Sequence, residues 1–196
     1  MTSAFDLLTI GHSNHPIDQF IALVHRAGTT AIADVRSRPA SGRYPWFSAK
    51  RLVETLARQG IAYELMGDAL GGRPNDPSLF RDGAADYAAM AVTRAFRAGL
   101  DRVIEAAQRA RLCLMCAERE PLDCHRCLLI APALAERGLT VGHILADGTI
   151  EPHAATEERL LNIAGEPPDL LSGGRAERLH AAYRRRARAA AFRPKA

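Results

Sequence analysis

Apolar residues fall in five short continuous runs: LLTI (7–10), AIADV (31–35), AYELM (62–66), LCLMC (112–116) and VGHIL (141–145). Runs of this length, bounded by turn residues, predict strands buried on both faces of a sheet. Between them the pattern becomes amphipathic, predicting helices over 16–27, 48–59, 84–110 and 124–137. Pro16 and Ser48 stand at the openings, and Gly28, Gly60 and Gly138 follow the ends, where such residues are favoured. Gly99 predicts that the segment 84–110 is bent or is two helices. Strand–helix alternation predicts an α/β fold: three layers, with a mainly parallel five-stranded sheet and helices on both faces. Residues 146–172 read as a loop, a short helix around Glu157–Leu161 and a linker containing GEPPDLLSGG, followed by a basic helical tail. No internal repeat is visible. The expected organisation is an α/β domain over 1–150, a short helix and linker over 151–172, and the tail over 173–196.

Composition changes this picture little. A chain of 196 residues that is 47% hydrophobic suits one domain with a core. The start, MTSAFDLLTI, has neither a basic segment nor a long apolar run, so no signal peptide is expected, and no later stretch is long enough to span a membrane. A cytoplasmic protein is expected, whose thiols stay reduced. Charge says more. Residues 173–196 hold eight Arg or Lys against one Glu, so the net +4 of the chain conceals about −3 in the body. The tail is either a solvated Arg-rich helix or an arm for nucleic acid.

The strand ends carry the candidate chemistry. GHSN follows the first strand, the second leads into Asp34 and RSRPASGRYP, the third into GDALGGRPNDP, and the fourth into Cys116, Glu118 and DCHR. Ligands of open α/β sheets bind outside the carboxyl ends of the strands. Cys124, His125 and Arg126 are expected to open a helix, whose free N–H groups favour an anion and stabilise a thiolate. Arg126, Arg36, Arg38 and Arg73 suit phosphate or carboxylate, supported by Ser13, Ser41, Gly71 and Gly72. Glu118, His12 and His125 suit proton transfer. Asp34 either orients the arginines or acts as a base. Cys116 is balanced between core and site, whereas Cys113 and Cys127 read as core, and His143 as a hydrogen-bonded core histidine.

All four cysteines lie in CLMCAEREPLDCHRC, as two C-x-x-C pairs. Paired spacing of this kind suggests zinc. Residues three apart on a strand point to opposite faces, however, so Cys113 and Cys116 should not converge on one ion. No metal and no cofactor are therefore assigned. A redox pair in CHRC remains a rival, and an active-site corner fits best.

The blocks TIGHSN, ADVRSRPAS, LGGRP, LMCAERE…DCHR and VGHILADG resemble the domain-of-unknown-function family 488 (DUF488), a group of bacterial and archaeal proteins. The likeness runs from Leu7 to Leu161. Residue by residue it marks Gly11, His12 and Ser13; Asp34, Val35, Arg36 and Pro39; Leu70, Gly71 and Gly72; Cys116 and Glu118; Cys124, His125 and Arg126; and His143 and Ile144. Cys113, Cys127 and the tail lie outside its pattern. The resemblance implies the α/β fold and the site but no established reaction.

The motif of cysteine phosphatases is absent, since Leu122 stands where their arginine would, and Glu118, Glu120 and Asp123 would repel phosphate unless turned outward or protonated. There is no G-x-G-x-x-G and no P-loop lysine. The leading expectation is an enzyme, a hydrolase or transferase, acting on an anionic small molecule or nucleotide. Cys124 would be its nucleophile, His125 the activator, and Glu118 and His12 the proton carriers. The alternatives are a non-catalytic nucleotide- or nucleic-acid-binding module and a thiol redox or sulfur-transfer protein.

Overall fold

A computed structural model of the chain describes residues 4–165 and 174–194. The five predicted strands are present as β1 (Leu7–Gly11), β2 (Ala31–Asp34), β3 (Ala62–Leu65), β6 (Leu112–Cys116) and β7 (Val141–Ile144). A sixth strand of the same sheet, β8 (Ile150–Pro152), pairs antiparallel with β7; a two-stranded hairpin stands apart, β4 (Phe80–Arg81) with β5 (Ala84–Ala85). The main sheet runs in the order β3-β2-β6-β1-β7-β8, with every pair but the last parallel. Crossovers therefore carry the chain over both faces, and the central strands β1 and β6 are buried along their whole length.

The alternation of β6 sorts the two faces. Cys113 and Met115 point to the side where Phe20, Leu52 and Leu56 pack, from α1 (Ile17–Arg26) and α2 (Ala49–Arg58). Leu112, Leu114 and Cys116 point to the other side, covered by α5 (Arg94–Arg109), α6 (Ala131–Ala135), α7 (His153–Ala164) and α8 (Arg175–Ala190). Burying a side chain such as Phe20, Leu52 or Leu114 contributes about 1.5–3 kcal/mol, so these two faces hold the layers together.

The helix boundaries differ from expectation at one instructive place. The segment 84–110 does divide, into α4 (Tyr87–Ala91) and α5, but the break is at Thr93, whose Oγ1 accepts the Phe96 N–H as an N-cap. Gly99 lies inside α5, where a Cβ would sit 2.8 Å from Leu70 Cδ2. It permits close approach of α5 to α3 (Gly67–Leu70) and does not bend the helix. The helix expected over 124–137 begins with a wide π-turn, Arg126–Ile130, ahead of Pro132. Proline has no N–H to continue the ordinary ladder, which favours such a register change.

The segment expected as a loop and short helix is a hairpin strand followed by a twelve-residue helix, α7. The GEPPDLLSGG linker falls mostly outside the described residues. Helix α8 is not a solvated arm: Ala182 and Ala191 are buried in the core under it. Its arginines meet carboxylates of the body, Arg175 with Glu157 and Glu158, Arg186 with Asp123, and Arg188 with Asp82. No helix of the described residues is long and apolar enough to cross a membrane.

Candidate active site

Four strand ends converge on one cavity of about 790 Å³. His12 and Ser13 reach it from β1, Arg36, Arg38 and Ser41 from the loop after β2, Gly72 and Arg73 from the turn after α3, and Cys116, Glu118 and His125 from the loop after β6. Asp34, Gly71, Cys124 and Arg126 stand behind this wall, and His143 lies elsewhere. Its ring is sealed in β7 within a hydrogen-bond chain from Thr9 Oγ1 (2.7 Å) to His153 (3.0 Å) and on to Tyr183 (3.1 Å).

Local backbone geometry explains the convergence. Gly11 ends β1 against the β6 loop, where a Cβ would lie 1.8 Å from the Glu118 carbonyl oxygen. Only glycine lets the two chains meet so closely. Ser13 then turns with φ of 47°, an unusual conformation for a residue with a side chain, held by its N–H to the Ala117 carbonyl at 2.9 Å. Gly72 brings its backbone onto the His125 ring, where a Cβ would meet Cγ at 2.7 Å.

Under the arginine side of the cavity lies a polar layer. Asp34, at 0% exposure, accepts three bonds from Arg36, its backbone N–H to Oδ1 at 3.1 Å, Nε to Oδ1 at 2.8 Å and Nη2 to Oδ2 at 2.5 Å, and one from the Tyr63 hydroxyl at 2.7 Å. Arg36 Nη1 donates to His12 Nε2 at 3.1 Å, and His12 Nδ1 donates to the Ser13 carbonyl at 2.9 Å. Both nitrogens of His12 are therefore engaged. Burial, and next the positive charge of Arg36, bring its pKa down to about 4, so the ring is neutral near pH 7. The proton-carrying role expected of His12 meets this constraint: its free lone pair already accepts a hydrogen bond.

On the floor, Glu118 Oε2 lies 3.0 Å from Cys116 Sγ and 3.1 Å from Cys124 Sγ. His125 Nδ1 lies 3.5 Å from the first sulfur and 3.8 Å from the second, while Nε2 donates to the Val35 carbonyl at 3.0 Å. Burial raises the Cys116 thiol, and its neighbours Cys124 and Glu118 raise it further. Burial would also raise Cys124, but the Cys116 thiol and the charges of Arg126 and His125 outweigh it and hold Cys124 well below its ordinary value. Burial and the Cys124 charge raise Glu118. Burial would lower His125, yet Cys124 and Glu118 leave it raised.

Two expected roles shift with this geometry. Cys124 is 1% exposed and does not line the cavity, so Cys116 is the thiol that a bound molecule would meet. Arg126 is fully buried and clamps its own loop, donating to the carbonyls of Glu118 (2.7 Å) and Arg119 (3.0 Å). It is not placed to grip an anion in the cavity. The double C-x-x-C pattern also resolves. Cys113 faces the opposite side of the sheet, as strand alternation requires, and Cys127 groups with His143 and His153. One cysteine from each pair nevertheless converges, so Cys116, Cys124, Glu118 and His125 form a set with the donors to hold a metal ion.

Several cavity residues carried no signal in the sequence. Arg119 reaches Ser13 Oγ at 3.3 Å and also Asn14. Tyr87 and, from the end of the tail, Phe192 complete the wall, and the Arg73 guanidinium stacks 4.9 Å from the Phe192 ring. Only the charged context of the AEREPL stretch, residues 117–122, pointed toward Arg119. Nothing local pointed to Phe192, which lies 67 residues beyond His125.

Comparison with known families finds a match over much of the chain. Residues 16–132, more than half of the chain, match the model of the family described as "Domain of unknown function DUF488", and the chain belongs to that family. The match takes in the arginine loop, the glycine turn and the cysteine loop. Gly11 to Ser13, His143 and the tail lie outside it. Neither curated proteins nor solved structures yield a match.

Proposed function

We propose that the chain is an enzyme that binds a small anionic molecule, a nucleotide or other phosphorylated compound foremost, and transforms it at the cavity floor through Cys116. One observation carries the reading. Among the described residues, Arg38, Arg73 and Arg119 border the cavity with no carboxylate paired to them, and the same cavity is lined by the Cys116 thiol, the Glu118 carboxyl and the His125 imidazole. Guanidinium groups so placed suit a phosphate or carboxylate, and the nearest nucleophile to such a ligand is Cys116. His125 and Glu118 stand within reach to exchange its proton.

The test is a thermal-shift panel of nucleotides, sugar phosphates and carboxylates, followed by turnover assays on whatever stabilises the protein. A stabilising ligand should lose its effect in R38A/R73A, while C116S should keep the binding and lose turnover. A panel with no stabilising anion, or a double variant that binds as the wild type does, would end this reading. If ligand binds and no product forms from any member, the chain is the non-catalytic module instead.

A second reading, thiol redox or sulfur transfer, is favoured by the closeness of the Cys116 and Cys124 sulfurs, which lie within 4.8 Å of each other. The pair would be 116 with 124, in place of the CHRC pair expected from spacing. Its substrate would be a disulfide: one thiolate opens it to a mixed disulfide, and the second releases the remaining thiol. Intact-mass analysis after exposure to a small disulfide, with loss of two hydrogens in the wild type and a stable adduct in C124S, supports this reading.

A further inference from the structure

The cavity floor gathers more donor chemistry than a thiol site needs. Two sulfurs, a carboxylate oxygen and an imidazole nitrogen lie within 4.8 Å of one another, all from the loop C-x-E-x5-C-H that follows β6. The geometry points to a site for one thiophilic divalent ion, zinc by its donor set, held by Cys116, Glu118, Cys124 and His125. This deepens the reading above and rests on it only for what the ion would do, not for its presence.

Distances come first. Zinc bonds of about 2.3 Å to sulfur and about 2.0–2.2 Å to nitrogen and oxygen place tetrahedral ligand–ligand edges at about 3.3–3.8 Å. The sulfur–nitrogen separations here are 3.5 and 3.8 Å, and the sulfur–oxygen separations 3.0 and 3.1 Å. Along these four edges an ion at the centre would need the carboxylate to move outward by a few tenths of an ångström, and the remaining two edges lie within 4.8 Å. Orientation agrees. Because His125 Nε2 donates to the Val35 carbonyl, its Nδ1 lone pair faces the sulfurs. An outer hydrogen bond of this sort fixes the tautomer of metal-binding histidines. The backbone N–H of Arg126 points at Cys124 Sγ from 3.5 Å, as a donor to a coordinated thiolate would.

Charge and access also fit. Two thiolates and a carboxylate carry three negative charges, which a divalent ion and the buried Arg126 guanidinium together offset. Cys116, Glu118 and His125 border the cavity, so an ion has a way in. Coordination deprotonates both thiols outright, which would present Cys116 to a bound anion as a metal-held thiolate. A second trio of soft donors, Cys127, His143 and His153, lies in the same protein. There only three donors meet, and the facing histidine nitrogens already hydrogen-bond each other at 3.0 Å.

The experiment loads the purified full-length protein with zinc, desalts it and measures metal by mass spectrometry, then repeats with cobalt(II) for its visible and sulfur-to-metal absorption. One ion per chain is expected, with a tetrahedral cobalt spectrum showing thiolate ligation. C116S and C124S should each weaken binding by more than the ~10–100-fold that loss of an outer partner costs, while C127A should keep the ion. X-ray absorption on the wild type, which does not depend on any variant folding, should show two sulfur and two nitrogen or oxygen neighbours. A wild type that retains no ion overturns the inference, as does an ion with a single sulfur neighbour that C127A abolishes. If no ion binds but turnover still needs Cys116, the enzyme reading stands without metal; if zinc binds and no anion does, the ion stands and that reading falls.

Discussion

Asp34 and Arg36, two residues apart, form a two-pronged ion pair that is almost completely removed from solvent, at 0% and 5% exposure. The intervening Val35 turns inward to the core, so the chain doubles both charges back under the cavity. Removing one partner of such a buried pair leaves the other uncompensated, at a cost of about 3–5 kcal/mol. D34N should lose that much in urea unfolding. The Tyr63 hydroxyl contributes a single bond to the same carboxylate, so Y63F should cost only about 1 kcal/mol. Equal losses in the two variants would show that the ion pair is not the stabilising element.

Glycines at the site should separate stability from chemistry. G11A would drive a Cβ into the Glu118 carbonyl, with backbone on both sides and nothing flexible to give. Strain of that kind exceeds the ordinary 0.5–3 kcal/mol of a point substitution, and little folded protein is expected. In G72A the obstacle is the root of the His125 side chain, Cγ at 2.7 Å and Cβ at 2.9 Å, whose ring is also tied to the Val35 carbonyl. That variant should still fold, with a lowered melting temperature, and show altered reactivity of Cys116 toward iodoacetamide as His125 is displaced. A folded, soluble G11A would remove the close approach from the account of the site.

How much of this was legible in the sequence follows from the range of the forces involved. The five strands and their mainly parallel arrangement were readable because continuous apolar runs separated by helix-length segments have few other solutions. The β7–β8 hairpin and the small β4–β5 hairpin were missed, although each has an Asp-Gly turn: Asp147-Gly148 and Asp82-Gly83. Their strands are too short to show alternation. His15 reads as a surface residue but is 4% exposed, packed beside the Trp46 indole that donates to its carbonyl. The convergence of His12, Arg36, Cys116 and His125 was legible from strand-end placement. That Arg126 turns inward, Cys124 lies behind Cys116 and Phe192 closes the wall depends on side-chain direction and tertiary docking, which no local pattern encodes.

His12 provides a pH signature. Its pKa falls from 6.5 to about 4 on folding, so between those values the unfolded chain binds a proton that the folded chain does not. Native stability should therefore decline as pH drops through this window, by about 3 kcal/mol at full extent. Melting curves from pH 7 to pH 4 should fall less steeply for H12F, which keeps an aromatic ring against Phe47 (4.2 Å between centroids) and cannot titrate. Parallel curves for wild type and variant would mean that His12 is not held neutral by its surroundings.

The tail decides between two pictures of the basic C-terminus. A solvated arm could be removed without effect on the body and would carry any nucleic-acid affinity with it, with a steep salt dependence. A docked helix behaves otherwise. Ala182 and Ala191 are buried under α8, the Tyr183 hydroxyl contacts His153 at 3.1 Å, and Arg175, Arg186 and Arg188 are matched to carboxylates of the body. Truncation after residue 173 should uncover that apolar surface and cost at least about 3 kcal/mol, which for a chain of this size lowers the melting temperature by roughly 6–12 °C. It should also remove Phe192 from the cavity wall, leaving Arg73 without its stacking partner and weakening any ligand of the cavity. Because those three arginines are already paired, the full-length protein should bind single-stranded DNA weakly and with a shallow salt slope. A truncated protein with unchanged melting temperature, together with tight and salt-steep DNA binding that disappears on truncation, would return α8 to the role of a free arm.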